Sequence, residues 1–137
     1  MSDKAFIDTN VLVYAVGDEE PKRQRAEALL LSLEQVVVSA QVLSEFVNVS
    51  LREQLLERAA LEAVVDGYLR AYEVMPVEGE TIARAFGVLD RYGYAWWDSA
   101  MLASALVARC TVVYTEDLQD GQLIEGRLRI VNPFAPS

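Results

Sequence analysis

Histidine is absent from the 137 residues, cysteine occurs once, at Cys110, and lysine occurs only at Lys4 and Lys22. Each shortage removes a class of chemistry. Without histidine there is no Ser-His-Asp triad, no imidazole general base and no histidine-rich zinc site. One cysteine builds neither an internal disulfide nor a structural zinc site, and Cys110 reads as a small core residue in a cytosolic chain. Basic residues are also scarce: 12 Lys and Arg stand against 21 Asp and Glu, for a net charge of -9. That balance opposes nucleic-acid binding unless a metal ion or a local basic patch offsets it. Long apolar runs are missing too. The longest are cut within a few positions by Glu, Gln, Asp or Arg, so no membrane span is expected. The opening Met1-Ser2-Asp3-Lys4 lacks the basic region and cleavage site of a signal peptide. Acid–base or metal chemistry must therefore run on carboxylates.

What is present is a core. Hydrophobic residues make up 53% and charged residues 24% of the chain, enough for one domain across 1–137 and too apolar for disorder. No repeat, linker or low-complexity tract interrupts it. Short β-branched runs alternate with helical patterns. Ala5-Phe6-Ile7, Val36-Val37-Val38 and Thr111 to Tyr114 read as buried strands, Tyr72 to Val77 and Leu128 to Val131 as weaker ones. Helices are expected over Asn10 to Val16, from Glu20-Pro21 onward with Ala26, Leu29, Leu30 and Leu33 inward, after an N-capping Ser39, over Arg58 to Ala71, Thr81 to Arg91 and Asp98 to Arg109. Strands separated by helices imply an α/β fold with a central parallel sheet and helices on both faces. Ligands in such sheets bind beyond the carboxyl ends of the strands.

Four acids fall near that edge. Asp8 follows the first strand and Asp117 the strand ending at Tyr114. Glu45 lies about a turn and a half into the helix after the second strand, and Asp98 opens a late helix. Each has a structural alternative: Asp8 and Asp98 as helix caps, Glu45 as a solvated helix residue, Asp117 as a turn residue. Glu45 nonetheless sits beside the apolar stripe of Val42, Leu43, Phe46 and Val47. Carboxylates brought together repel unless a cation joins them, and all-oxygen donors select Mg²⁺ or Mn²⁺.

The segments that hold these acids resemble a known family. Phe6-Ile7-Asp8-Thr9-Asn10 is similar to the opening motif of PIN-domain nucleases, Ser39 to Phe46 to their glutamate helix, Trp97-Asp98-Ser99-Ala100 to their third acidic motif, and Thr115-Glu116-Asp117 to their Thr-x-Asp motif. Val131-Asn132-Pro133-Phe134 resembles a common ending. The matches run in order across nearly the whole chain. Size and motif wording are most similar to the VapC toxins of type II toxin–antitoxin pairs. The resemblance implies a single PIN-like domain and an RNA endonuclease with Asp8, Glu45, Asp98 and Asp117 as catalytic metal-site residues. It implies Mg²⁺, with Mn²⁺ as a substitute, a VapB-like antitoxin, a homodimer, and contact with DNA only through the antitoxin. Asp8 and Asp98 are expected as direct ligands, with Glu45 and Asp117 completing the shell. Thr9, Asn10 and Thr115 are supporting residues, and the two threonines serve equally well as turn caps. Glu116 and Asp120 compete with Asp117 for the fourth acidic role.

RNA would need further holds. Lys22, Arg23 and Arg25 form the one dense basic group, with Arg84 and Arg91 ahead of Asp98; each is also an ordinary salt-bridging surface residue. Trp96 and Trp97 are stacking candidates, although packing is the commoner fate of tryptophan. Three other readings compete. A receiver-type signalling domain lacks its late lysine here, a non-catalytic module has no reason to keep all four acids, and an RNA-processing PIN nuclease without an antitoxin has the same sequence features.

Overall fold

A computed structural model describes residues 3–136; Met1 and Ser2, the start of the expected leaderless opening, and Ser137 lie outside them. Six strands form one sheet: β1 (Lys4–Ile7), β2 (Gln35–Ser39), β3 (Glu73–Met75), β4 (Val112–Tyr114), β5 (Leu123–Ile124) and β6 (Leu128–Val131), in the order β3-β2-β1-β4-β6-β5. Six helices connect them: α1 (Thr9–Val16), α2 (Lys22–Ser32), α3 (Ala40–Arg52), α4 (Arg58–Ala71), α5 (Gly79–Tyr92) and α6 (Trp96–Val107).

The central strands read as unbroken apolar runs because both their faces are covered. Ala5, Phe6, Ile7, Val38 and Val113 are wholly buried. From β1 the chain steps outward to β2 and β3, then returns to lay β4 on the other side of β1. With right-handed crossovers, that reversal puts α1 to α4 on one face and α5 and α6 on the other. The strand order therefore switches at β1 and β4, the place where an open α/β sheet leaves a crevice.

Five strands are parallel, as expected. β5 is the exception, pairing antiparallel with β6 through a tight turn in which Glu125 and Gly126 are both left-handed. A two-residue strand carries too little periodicity to be seen in sequence. α6 also begins earlier than the expected start at Asp98. The Ser99 amide already donates to the Ala95 carbonyl at 2.9 Å, so the first turn includes Trp96 and Trp97 and leaves Asp98 within it rather than at the cap. Eight consecutive residues of α6, Ser99 to Leu106, are buried. Ser39 does cap α3, its hydroxyl accepting from the Val42 amide at 3.1 Å.

At the amino end of β1, Lys4 is fully engaged. Its ammonium donates to the Ala108 carbonyl at 2.7 Å, where α6 ends, and pairs with Glu73 at 3.1 Å. A cation at a helix carboxyl end meets carbonyls that lack intrahelical partners.

Candidate active site

The carboxyl edge of the sheet is built differently. The Asp8 amide donates to the Tyr114 carbonyl at 3.1 Å, continuing the β1–β4 ladder one residue past the strand. Its side chain then turns to cap α1, accepting from the Thr9 amide at 2.6 Å. So the capping alternative for Asp8 is real, yet it occupies one oxygen only. The other oxygen accepts from the Thr115 hydroxyl at 2.8 Å and from the Asn10 amide at 3.3 Å. Thr115 is wholly buried and Asp8 is 9% exposed.

Asn10 ties the cluster together. Its amide nitrogen also donates to the Thr115 hydroxyl at 3.3 Å and to Asp117 at 3.1 Å. The Asp117 amide donates back to the Thr115 hydroxyl at 3.2 Å. The Asn10 side-chain oxygen is buried without a hydrogen-bond partner, an acceptor whose desolvation is uncompensated.

A groove of about 990 Å³ opens over this cluster, and Asp8, Glu45, Asp98 and Asp117 all line it. Asp8 and Asp98 are drawn inward, whereas Glu45 and Asp117 are exposed. The exposure of Glu45 departs from what its apolar neighbours implied: one helical step from Phe46 carries it past the buried stripe to the groove wall. Thr9 also lines the groove, its hydroxyl donating to the Val42 carbonyl at 3.4 Å.

The charges of the cluster are unbalanced. Burial pushes Asp8 up to about 6 from 3.8, with Asp117 and Asp98 raising it further and the Thr115 and Thr9 hydrogen bonds working the other way. Asp98 is raised too, by burial first and then by Asp117. Among the described residues none of the four acids joins an ion pair. Nor does any group of three or more Asp, Glu or Cys side chains there stand already arranged to hold a metal ion. The acids share a groove without being gathered at one point.

The rivals of Asp117 are occupied elsewhere. Glu116 accepts from the Tyr14 hydroxyl at 2.6 Å and pairs with Lys22 at 2.9 Å, while Asp120 accepts from the Asn132 amide at 2.8 Å. The same contacts take Lys22 out of the free basic group, its ammonium lying over the Tyr14 ring at 4.6 Å. Arg23 pairs with Glu20 and Glu27, and Arg84 with Glu125. Sequence reading missed one groove-lining cation, Arg52. Its signal was its spacing on α3, seven residues after Glu45.

Comparison with known proteins agrees with this architecture. The family model of the PIN domain matches residues 5–119. No curated protein matches the chain by sequence. Solved structures do match by fold. A toxin–antitoxin complex from Klebsiella pneumoniae is 20% identical with a TM-score of 0.69, covering 95% of this chain and 98% of that one. VapC20 of Mycobacterium tuberculosis, a toxin that cleaves the sarcin–ricin loop, is 20% identical with a TM-score of 0.68, covering 82% and 91%. A DNA-bound VapBC complex from Salmonella typhimurium is 24% identical with a TM-score of 0.64, covering 93% and 97%.

Proposed function

This chain belongs to the PIN-domain family, and from that premise we propose that it is a Mg²⁺-dependent, single-strand-selective endoribonuclease acting as the toxin of a toxin–antitoxin pair. One observation carries the reading. A carboxylate buried at the switch point of the sheet, Asp8, is held by Thr115 and Asn10, its pKa raised further by Asp117 and Asp98, and among the described residues no cation pairs with it. Such an arrangement is costly for the protein alone and becomes favourable when a divalent cation joins it.

The donors fit that ion. All four acids offer hard oxygens, and the buried Asn10 oxygen, which has no hydrogen-bond partner, is a further acceptor beside them. Asp8 and Asp98 would hold the metal, with Glu45 and Asp117 turning in from the groove wall to complete its shell. Bound there, a divalent cation supplies charge neutralisation of the scissile phosphate and a water of lowered pKa. The protein does the positioning. Thr115 and Asn10 lock the rotamer of Asp8, and β1, β4 and α6 set where Asp8, Asp117 and Asp98 stand along the groove. Mn²⁺ should substitute for Mg²⁺.

The whole of 1–137 is read as one nuclease domain working in the cytoplasm. Among the described residues no helix is long and apolar enough to cross a membrane. The toxin–antitoxin complexes among the fold neighbours support a VapB-like antitoxin as partner; DNA reached only through that antitoxin, and a homodimer as the working unit, are part of the same proposal. The test is cleavage of single-stranded RNA by the pure chain with Mg²⁺, Mn²⁺ or EDTA, alongside growth on induction. Metal-dependent cleavage and growth arrest, both lost in Asp98→Ala, are expected. Undiminished cleavage in EDTA would remove the metal mechanism, and harmless expression of active enzyme would remove the toxin role.

A further inference from the structure

The two tryptophans, adjacent in sequence, have different surroundings. Trp96 packs on Ala85, Ala100 and Ala103 and lies 5.0 Å from the Phe86 ring. Trp97 is 65% exposed and lines the carboxylate groove beside Asp98. Along another wall α3 presents Gln41, Glu45, Asn48 and Arg52 to the groove, one turn apart. At 1.5 Å per residue, Arg52 lies roughly 10 Å from Glu45 along the helix. Among the described residues Arg52 is the one cation lining the groove; its side chain is 62% exposed, and its one ion-pair contact there is the sequence neighbour Glu53 at 3.4 Å, which lines the groove too.

Resting on the function proposed above, we infer that Trp97 is a stacking platform for an unpaired base and Arg52 a phosphate contact, together laying a single strand across the acidic cluster. A free π-face accepts any base that is not already stacked in a duplex. An exposed indole is equally suited to a protein interface, but the α3 wall of this groove, although it includes Val42 and Val49, is mostly polar, with Gln41, Ser44, Glu45, Asn48 and Arg52. The pair also answers the charge objection. The chain as a whole repels a polyanion, yet one guanidinium a short span from the acidic cluster, with stacking that needs no charge, gives the strand a local hold against that repulsion.

The test is steady-state cleavage of an unstructured oligouridylate and of a duplex of matched length. Trp97→Ala should raise KM for the unpaired strand about tenfold with kcat little changed, and Trp97→Phe should recover most of it. Arg52→Gln should flatten the slope of log(kcat/KM) against log[salt] by about 0.7, the loss of one phosphate contact on a single strand. Trp96→Phe leaves Trp97 as the single indole, and its fluorescence should be quenched when the oligouridylate is mixed in, before cleavage. Should Trp97→Ala fold poorly, Trp97→Phe, Arg52→Gln and the quenching decide. An unchanged KM, an unaltered salt slope, or a Trp97→Ala variant whose defect is a change of oligomeric state would overturn the inference while leaving an active nuclease. A wild type that neither binds nor cleaves RNA would overturn the proposed function with it.

Discussion

β1 carries an ionisable side chain at each end, and the two ends are treated in opposite ways. At its amino end Lys4 has a carbonyl and a carboxylate as partners, and the charge closes off the end of α6. Beyond its carboxyl end Asp8 has hydrogen-bond donors but, among the described residues, no ion-pair partner, and two further carboxylates raise its pKa. The strand between them is wholly buried apart from Lys4. One end of a rigid element is thus completed by the protein, and the other, on the function proposed here, is left for a metal ion. Stability is gained at the first and held back at the second.

The largest effect should come from destroying the unfinished end. With Asp8 as the metal ligand proposed here, Asp8→Asn is expected to lower cleavage roughly 1000-fold, the order set by losing a ligand to a cation that stabilises transition-state charge. Cleavage by purified variant and wild type at saturating Mg²⁺ measures it. The other end supplies the control. Lys4→Met should leave cleavage within about twofold yet cost about 1–2 kcal/mol of stability, from a charged hydrogen bond and the helix-end carbonyl it leaves unsatisfied. Denaturant melts of the two variants should show this opposition, and a Lys4 variant that loses activity without losing stability would break it.

Acid should sharpen the contrast. The folded-state pKa of Asp8, about 6, lies above the 3.8 of an unperturbed carboxyl. The fold therefore favours the protonated form, and this contribution is fully present below 3.8 and lost as pH rises through about 6. Metal-free protein should be more stable at pH 5.5 than at pH 7.5, by about 1 kcal/mol. Because the chain has no histidine, that window is free of the usual competing titration. Thermal melts in EDTA check it, and Asp8→Asn should flatten the slope. With Mg²⁺ the sign should reverse, since the ion binds the deprotonated acid. Smallest is Asp98→Asn, expected to raise metal-free stability by about 0.5 kcal/mol. Relief of repulsion exceeds the lost interaction with the α6 amino end. Asp98 does not cap that helix, so little else is sacrificed. A lower melting point in EDTA would make Asp98 a structural residue.

How far these features were legible in the sequence follows from their physics. Strands buried on both faces announce themselves as runs such as Val36-Val37-Val38, and α4 declared its span from Arg58 to Ala71 by a regular apolar stripe. The four acids were legible as positions, since each lies at or just beyond a strand or in an early helical turn. Their states were not. Nothing in Phe-Ile-Asp-Thr-Asn tells that Asn10 reaches a residue more than a hundred positions away in sequence, nor that Glu116 is spoken for by Lys22 and Tyr14. Both depend on β1 and β4 lying side by side. The separation of Trp96 from Trp97 was equally hidden, because it depends on α6 starting one turn ahead of the residue best suited to cap it.

Under selection against the activity, α6 would also shape the record of escape. Asp98 stands in the first turn of a helix whose next eight residues are buried, several of them alanine or serine. A larger side chain at Ala103 or Ala105 has no surface to retreat to, and overpacking there strains the element that aims the carboxylate. Inactivating alleles should therefore fall along the length of this helix as well as at the four acids, and those within the helix should be the temperature-sensitive ones. Heredity would then trace the packing of α6 as clearly as it traces the chemistry.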